Sequence, residues 1–160
     1  MTAAVSIRAG TAHDVDALVA FNQAMALETE DKHLSAGTLR PGVEGVFEDP
    51  RRGFYLVAQA PGPSDRPGQV VGALMVTYEW SDWRNGDFWW VQSVYVTAAY
   101  RGKGVYTALY DEVRRRAHET GGVCGVRLYV ERENVIAQQV YQRLGMQETA
   151  YLMYEEEFKP

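Results

Sequence analysis

The stretch from Val91 to Tyr106 carries the densest chemical signal in the chain. It reads as a buried strand that runs into a glycine-containing turn and then opens a helix. Such a turn presents backbone N–H groups and a helix N-terminus to an anion. Gly102 and Gly104 let the backbone approach a ligand closely, and Arg101 and Lys103 add positive charge. A diphosphate is the natural guest. Two common phosphate motifs do not fit. A Walker loop ends in Gly-Lys-Ser/Thr, whereas Lys103 is followed by Gly104. The dinucleotide fingerprint needs a third glycine at a set offset, early in a βαβ unit.

A second run, from Asn134 to Met146, holds Ala137, Tyr141 and Gly145 at fixed offsets. It follows a strand pattern and ends at Gly145, a suitable helix C-cap. Tyr141 lies four residues after Ala137 and seven after Asn134, so the three share one helix face. Together the two runs resemble the signatures of the GCN5-related N-acetyltransferase (GNAT) family. The first is Arg/Gln-x-x-Gly-x-Gly/Ala after a Val/Leu-x-Val strand end, matched by Arg101, Gly104 and the Val94/Val96 pair. The second is Asn-x-x-Ala-x-x-x-Tyr-x-x-x-Gly-Phe/Met. Tyr106 departs from the first pattern, standing where Gly or Ala is usual.

That resemblance implies acyl transfer from acetyl-coenzyme A, as cosubstrate, to a primary amine, without a metal. It assigns the pantetheine arm to Val94, Tyr95 and Val96. It gives the diphosphate to Arg101, Gly102, Lys103, Gly104, Val105 and Tyr106, and a further pantetheine contact to Asn134, which would also serve as a helix N-cap. Tyr141 becomes the general acid for the departing thiolate, because a phenol keeps its proton near neutral pH. The family's usual glutamate position on the central strand is Gln92, a neutral amide that can position water but cannot take a proton. A carboxylate base must then come from elsewhere, with Glu79 first and Glu28 or Glu30 next, or the amine must arrive neutral. Glu28, Glu30, Trp80, Asp82 and Trp83 are the candidate acceptor-side residues, since acids and aromatic faces together suit a cationic amine. A protein N-terminal or lysine acetyltransferase is the alternative enzyme. A non-catalytic acyl-coenzyme-A sensor is the alternative of another class, kept open by Gln92 and Tyr106.

The elements that must position these residues follow from periodicity and punctuation. Residues 5–8 read as a first strand. Thr11 with Asp14 marks an N-cap, and Val15, Leu18, Val19, Asn22 and Met25 recur at helical spacing to about Leu27. Thr38 opens a second helix that stops at Asp49-Pro50. Strands follow over Phe54 to Ala60 and Val70 to about Tyr78. Glu79 to Asp87 reads as a connection, and Phe88 to Val96 as a central strand with Trp89 and Trp90 on opposite faces. A third helix follows the glycine turn and ends at Gly121-Gly122. After it come a strand from Val123 to Val130, the Asn134 helix, and a terminal strand from about Gln147 to Phe158. The order βααβββαβαβ implies an α/β (α+β) fold in one domain over residues 1–160, with a mixed, largely antiparallel sheet flanked by helices.

Composition narrows the alternatives. The chain has 160 residues, enough for one sizeable core. Its formal net charge of −5 argues against a general nucleic-acid binder. No apolar run is long enough to span a membrane, and no secretory pattern opens the chain. A cytoplasmic location is expected. Cys124 is the only cysteine, which excludes an internal disulfide, and its apolar surroundings predict a buried structural thiol. His13, His33 and His118 read as surface or capping residues. Aromatic strand ends leave a homodimer open.

Overall fold

The computed structural model describes residues 4–159. Its compact units are residues 1–128 and residues 129–160. The first unit is built on a five-stranded sheet in the order β1-β2-β3-β4-β5. Its strands are β1 (Ser6–Ala9), β2 (Phe54–Gln59), β3 (Val70–Ser81), β4 (Gly86–Val96) and β5 (Val123–Arg127). The first three pairings are antiparallel and the last, β4 with β5, is parallel. This is the mixed, mainly antiparallel sheet expected from the sequence.

Strand alternation divides the core between the two faces. One face carries Leu56, Leu74, Val76, Trp89 and Val91, packed on Val105, Leu109, Val113 and Ala117 of helix α3 (Val105–Thr120). The other carries Tyr55, Val57 and Ala73. They pack on Val15, Leu18 and Val19 of helix α1 (Val15–Glu30) and on Val43 of α2 (Ala36–Glu48). Trp89 is buried in the α3-side core, while Trp90 points to the other face and bonds Glu79 there.

Helix α1 is anchored at its start by the one buried charged side chain among the described residues. Asp14 accepts from Arg8 Nη1 and Nη2 at 2.8 and 2.9 Å, and from the Thr11 backbone N–H at 2.8 Å. The Arg8 hydrogen bonds lead the causes that hold the Asp14 carboxyl below the usual carboxylate range. At its other end α1 runs past the expected Leu27 to Glu30, and Asp31 closes it in the left-handed region at φ 50°. Glu28 and Glu30 are therefore helical rather than loop residues. Backbone bonds from Asp31 and Lys32 to Leu27 and Ala26 hold that closure.

Other expectations need correction. Glu79, Trp80 and Ser81 belong to β3, because the tight turn at Asn85, with φ 50°, lets the hairpin ladder extend to a Ser81–Gly86 pair. Cys124 is exposed, since β5 is an edge strand and this residue points away from the core. Residues 147–159 form no strand: their backbone donors and acceptors enter no ladder, and Tyr151, Leu152, Met153, Tyr154 and Phe158 are exposed. The three histidines are exposed, as read.

The second unit contains helix α4 (Val135–Arg143). Asn134 caps it, its side-chain oxygen accepting from the Ala137 N–H at 3.1 Å. At the far end Gly145 takes φ 92°, and the Met146 and Gly145 N–H groups bond the Tyr141 and Gln142 carbonyls. That is the paired closure a helix makes when glycine follows its cap.

Replacing Asp14 with Asn should cost about 1–3 kcal/mol, the scale of hydrogen bonds to a charged group. The folded carboxyl is depressed, so its stabilisation is present above the ordinary carboxylate range and lost as pH falls through the folded value. Chemical denaturation between pH 7 and pH 2 should show a flatter stability profile for Asp14→Asn than for the native chain.

Candidate active site

The site begins with a break in register. Tyr95 pairs with Ala73 and Gln92 with Met75, so Ser93 and Val94 together oppose Leu74. The extra residue is a β-bulge. Ser93 sits at its centre with φ 51°, a conformation that side chains rarely adopt. The bulge shifts the alternation by one. Val94 and Val96 then join the α3-side core with Val91, while Tyr95 swings to the α1 side. There its ring lies 5.2 Å from that of Phe21.

The same region loses its neighbour. The ladder between β4 and β5 covers Asp87 to Trp90, paired with Val123 to Arg127. Strand β4 continues to Val96, so within the first unit its last six residues have no β5 ladder. An open strand edge offers N–H and C=O groups to any extended amide-bearing ligand.

Beyond Val96 the chain makes a short 3₁₀ turn, Ala98–Tyr100, and enters the glycine turn. Gly102 and Gly104 adopt φ 70° and 80°, and Gly104 is the N-cap of α3. Space around a Cβ at Gly102 is open, so backbone conformation alone requires glycine there. The Ala108 N–H closes the first α3 backbone bond, to the Gly104 carbonyl. N–H groups ahead of it are those a helix start leaves for an anion. The Tyr106 ring turns from this mouth to pack on the core and stack with Tyr110 at 6.1 Å. The departure from Gly or Ala is thus absorbed by the interior. Lys103 lies 5.5 Å from the Tyr100 ring centroid.

The carboxylates are less available than the sequence suggested. Glu79 bonds Arg127 Nη1 at 2.5 Å and accepts from the Trp90 indole at 3.3 Å. It pairs across the ladder with Phe88, six residues before Val94, which puts it roughly 20 Å along the strand from the bulge. Gln92 donates to the Thr77 hydroxyl. Glu28 accepts from Arg101 at 2.6 Å and from the Tyr95 hydroxyl at 3.0 Å. Glu30 is exposed. Trp80, Asp82 and Trp83 lie at the β3–β4 hairpin, the far end of β4 from the bulge, and Trp83 is 87 % exposed. They do not gather at the bulge.

Two features were missed by sequence reasoning, the bulge at Ser93–Val94 and the Glu28–Tyr95–Arg101 cluster. No local signal marks the bulge, because serine is an ordinary strand residue. The cluster joins residues 67 and 73 positions apart.

Tyr141 belongs to the second unit and is half-buried, and burial pushes its phenol up from the ordinary tyrosine range. The hydroxyl therefore holds its proton across neutral pH. Among the described residues no group of three or more His, Cys, Asp or Glu side chains could hold a metal ion. None of the described helices is long and apolar enough to cross a membrane.

Strand β4 thus bulges, runs on past the end of its ladder with β5, and leads to a glycine turn at the start of α3. The chain belongs to the acetyltransferase (GNAT) family, whose profile matches residues 20–146. Its fold is also that of solved acetyltransferases. A possible acetyltransferase from Clostridium difficile 630 is 40 % identical, with 98 % of this chain and 99 % of that one covered and a TM-score of 0.87. A predicted acetyltransferase from Clostridium acetobutylicum, solved with acetyl-CoA, is 14 % identical over 95 % of this chain and 96 % of that one (TM-score 0.75). AAC(6')-Iy, in complex with a bisubstrate analogue, CoA-S-monomethyl-acetylneamine, is 16 % identical over 97 % and 99 % (TM-score 0.74). These last two share the fold. No curated protein matches the chain. The family uses acetyl-CoA as cosubstrate, and this chain is an acyl-CoA N-acyltransferase of that type.

Gly102→Val should lower stability by about 1–2 kcal/mol, the cost of a side chain in the left-handed region. It should also raise KM for acetyl-CoA more than it lowers kcat. Thermal unfolding and steady-state kinetics on one preparation check both.

Proposed function

We propose that this protein transfers the acetyl group of acetyl-CoA to the primary amine of a small cationic acceptor, by direct attack in a ternary complex. The observation that carries the proposal is the bulged, unladdered end of β4 leading through one short 3₁₀ turn into the Gly102–Gly104 turn. The residues fit the cosubstrate. The β4 edge would pair with the pantetheine arm, and the N–H groups at the α3 mouth would meet the diphosphate. A backbone N–H at the bulge would face the thioester oxygen as negative charge develops on it. In the attack the amine nitrogen forms a bond to the carbonyl carbon, the C–S bond breaks, and the thiolate accepts a proton. Asn134 and Tyr141 complete the set in this reading, with Tyr141 supplying that proton and residues 1–160 working as one acetyltransferase domain. The family profile, which runs across both units, supports that assignment.

No side-chain base is assigned. Glu79 is held by Arg127, Glu28 by Arg101 and Gln92 by Thr77. The amine would therefore lose its proton to solvent, with Gln92 a polar contact rather than an acceptor of the proton. A cationic acceptor is supported by the acidic end of α1, where Glu28 reaches Tyr95 of β4 and Glu30 and Asp31 follow. The same captive carboxylates favour a second reading, a non-catalytic acyl-CoA sensor.

Acetyl-CoA-dependent thiol release across polyamines, amino acids, amine antibiotics and short peptides separates these readings. Release with a small amine, and its N-acetyl product by mass spectrometry, is the expected result. Selective release with peptides would assign a protein acetyltransferase. Tight binding without release would favour the sensor.

With an accepted amine in hand, Tyr141→Phe should lower kcat by about 100-fold or more, the scale of general-acid assistance. The calorimetric Kd for acetyl-CoA should stay within about two-fold of the native value. Unchanged kcat would remove Tyr141 from the mechanism.

A further inference from the structure

The arginine assigned to the diphosphate is already engaged by an acid. Arg101 Nη2 donates to Glu28 Oε2 at 2.6 Å, and its Nε donates to the Val96 carbonyl at 2.8 Å. The Tyr95 hydroxyl donates to the other Glu28 oxygen at 3.0 Å, and the guanidinium lies 5.3 Å from the Tyr95 ring centroid. Both charged side chains are about half exposed, at 47 % for Arg101 and 45 % for Glu28. The pair is thus within reach of a dissolved anion.

Glu28 stands in the last turn of α1, where the helix dipole disfavours a negative side chain. Its carboxyl nevertheless lies below the usual range, first because Arg101 donates to it and then because Tyr95 does. The acid is kept ionised on the only arginine of the 101–106 turn. A guanidinium that faces a carboxylate adds little net positive potential to an anion site. A diphosphate must therefore share or displace Glu28.

Resting on the assignment of residues 101–106 to the donor's diphosphate, we infer that Glu28 competes with that diphosphate for Arg101, so that donor binding unlatches the last turn of α1. Phosphate oxygens form stronger charge-assisted bonds to guanidinium than one exposed carboxylate sustains. The exchange is of hydrogen bonds alone, with no proton or covalent bond transferred. It has two consequences. Glu28 lowers the affinity for the donor. It also ties the α1 end, and with it the acidic residues 28–31 proposed to face the acceptor, to the state of the donor site.

Calorimetry with acetyl-CoA and with S-acetylpantetheine, which lacks the diphosphate, tests this on Glu28→Gln, Arg101→Gln and the double variant. Glu28→Gln should bind acetyl-CoA about two- to five-fold more tightly, the range expected for releasing one exposed ion pair. S-acetylpantetheine binding should not move, and Glu28→Gln should have no effect in the Arg101→Gln background. Tyr95→Phe, which removes one Glu28 contact without charge change, should shift affinity in the same direction by less. Hydrogen exchange over residues 26–33 should speed up when acetyl-CoA is added to the native protein. In Glu28→Gln it should be fast throughout. Equal or weaker acetyl-CoA binding by both Glu28→Gln and Tyr95→Phe overturns the competition, as does unchanged exchange in the native protein. If Arg101→Ala and Gly102→Val both leave acetyl-CoA affinity intact, the diphosphate assignment itself fails.

Discussion

One extra residue in β4 sets the geometry on which the rest of the site depends. The ladder with β3 skips between Gln92 and Tyr95, and Ser93 takes the left-handed conformation to allow it. Two results follow from that single break. Val94 and Val96 keep their side chains packed against the α3-side core. Tyr95, turned to the opposite face, meets Phe21 and Glu28 of α1. A side-chain period of two means that one inserted residue exchanges the faces of everything after it. Without the bulge, the tyrosine would point into the core and the α1 end would lose its tie to β4.

Three acids of the first unit that lie near the sheet are each paired with an arginine. Asp14 takes Arg8, Glu28 takes Arg101 and Glu79 takes Arg127. Their surroundings separate them. Asp14 is 6 % exposed and accepts three short hydrogen bonds, so its pair fixes the start of α1. The other two are substantially solvated, so they contribute little stability and can exchange partners with a ligand. That difference in burial separates an anchor from a latch.

In the proposed mechanism, carboxylates held on arginines leave the chemical work to other groups. Backbone donors at the bulge and at the α3 mouth are preorganised dipoles that need no proton transfer to act. Burial pushes the Tyr141 phenol up, which suits the proton-donating role proposed for it. In this reading charge stabilisation and positioning dominate, and acid–base chemistry is confined to the departing sulfur.

The order of elements as far as α4, the glycine turn, the Asn134 cap and the Gly145 closure were legible in the sequence, because each rests on local rules of periodicity, backbone conformation and capping, whereas the terminal strand expected after Gln147 did not form. The split of Trp89 and Trp90 between faces was legible for the same reason. Pairings between distant segments were not. Nothing near Ser93 announces a bulge, since register is decided by the neighbouring strand. Glu28 resembled a free loop acid until α1 extended past Leu27 and brought it to Arg101. Glu79, Trp80 and Trp83 formed a plausible rim on paper, yet the long hairpin carries them to the far end of β4. Local sequence determined where the helices and the glycine turn form. Only tertiary structure decided which charges meet, because a contact between residues some 70 positions apart depends on strand register and helix length together.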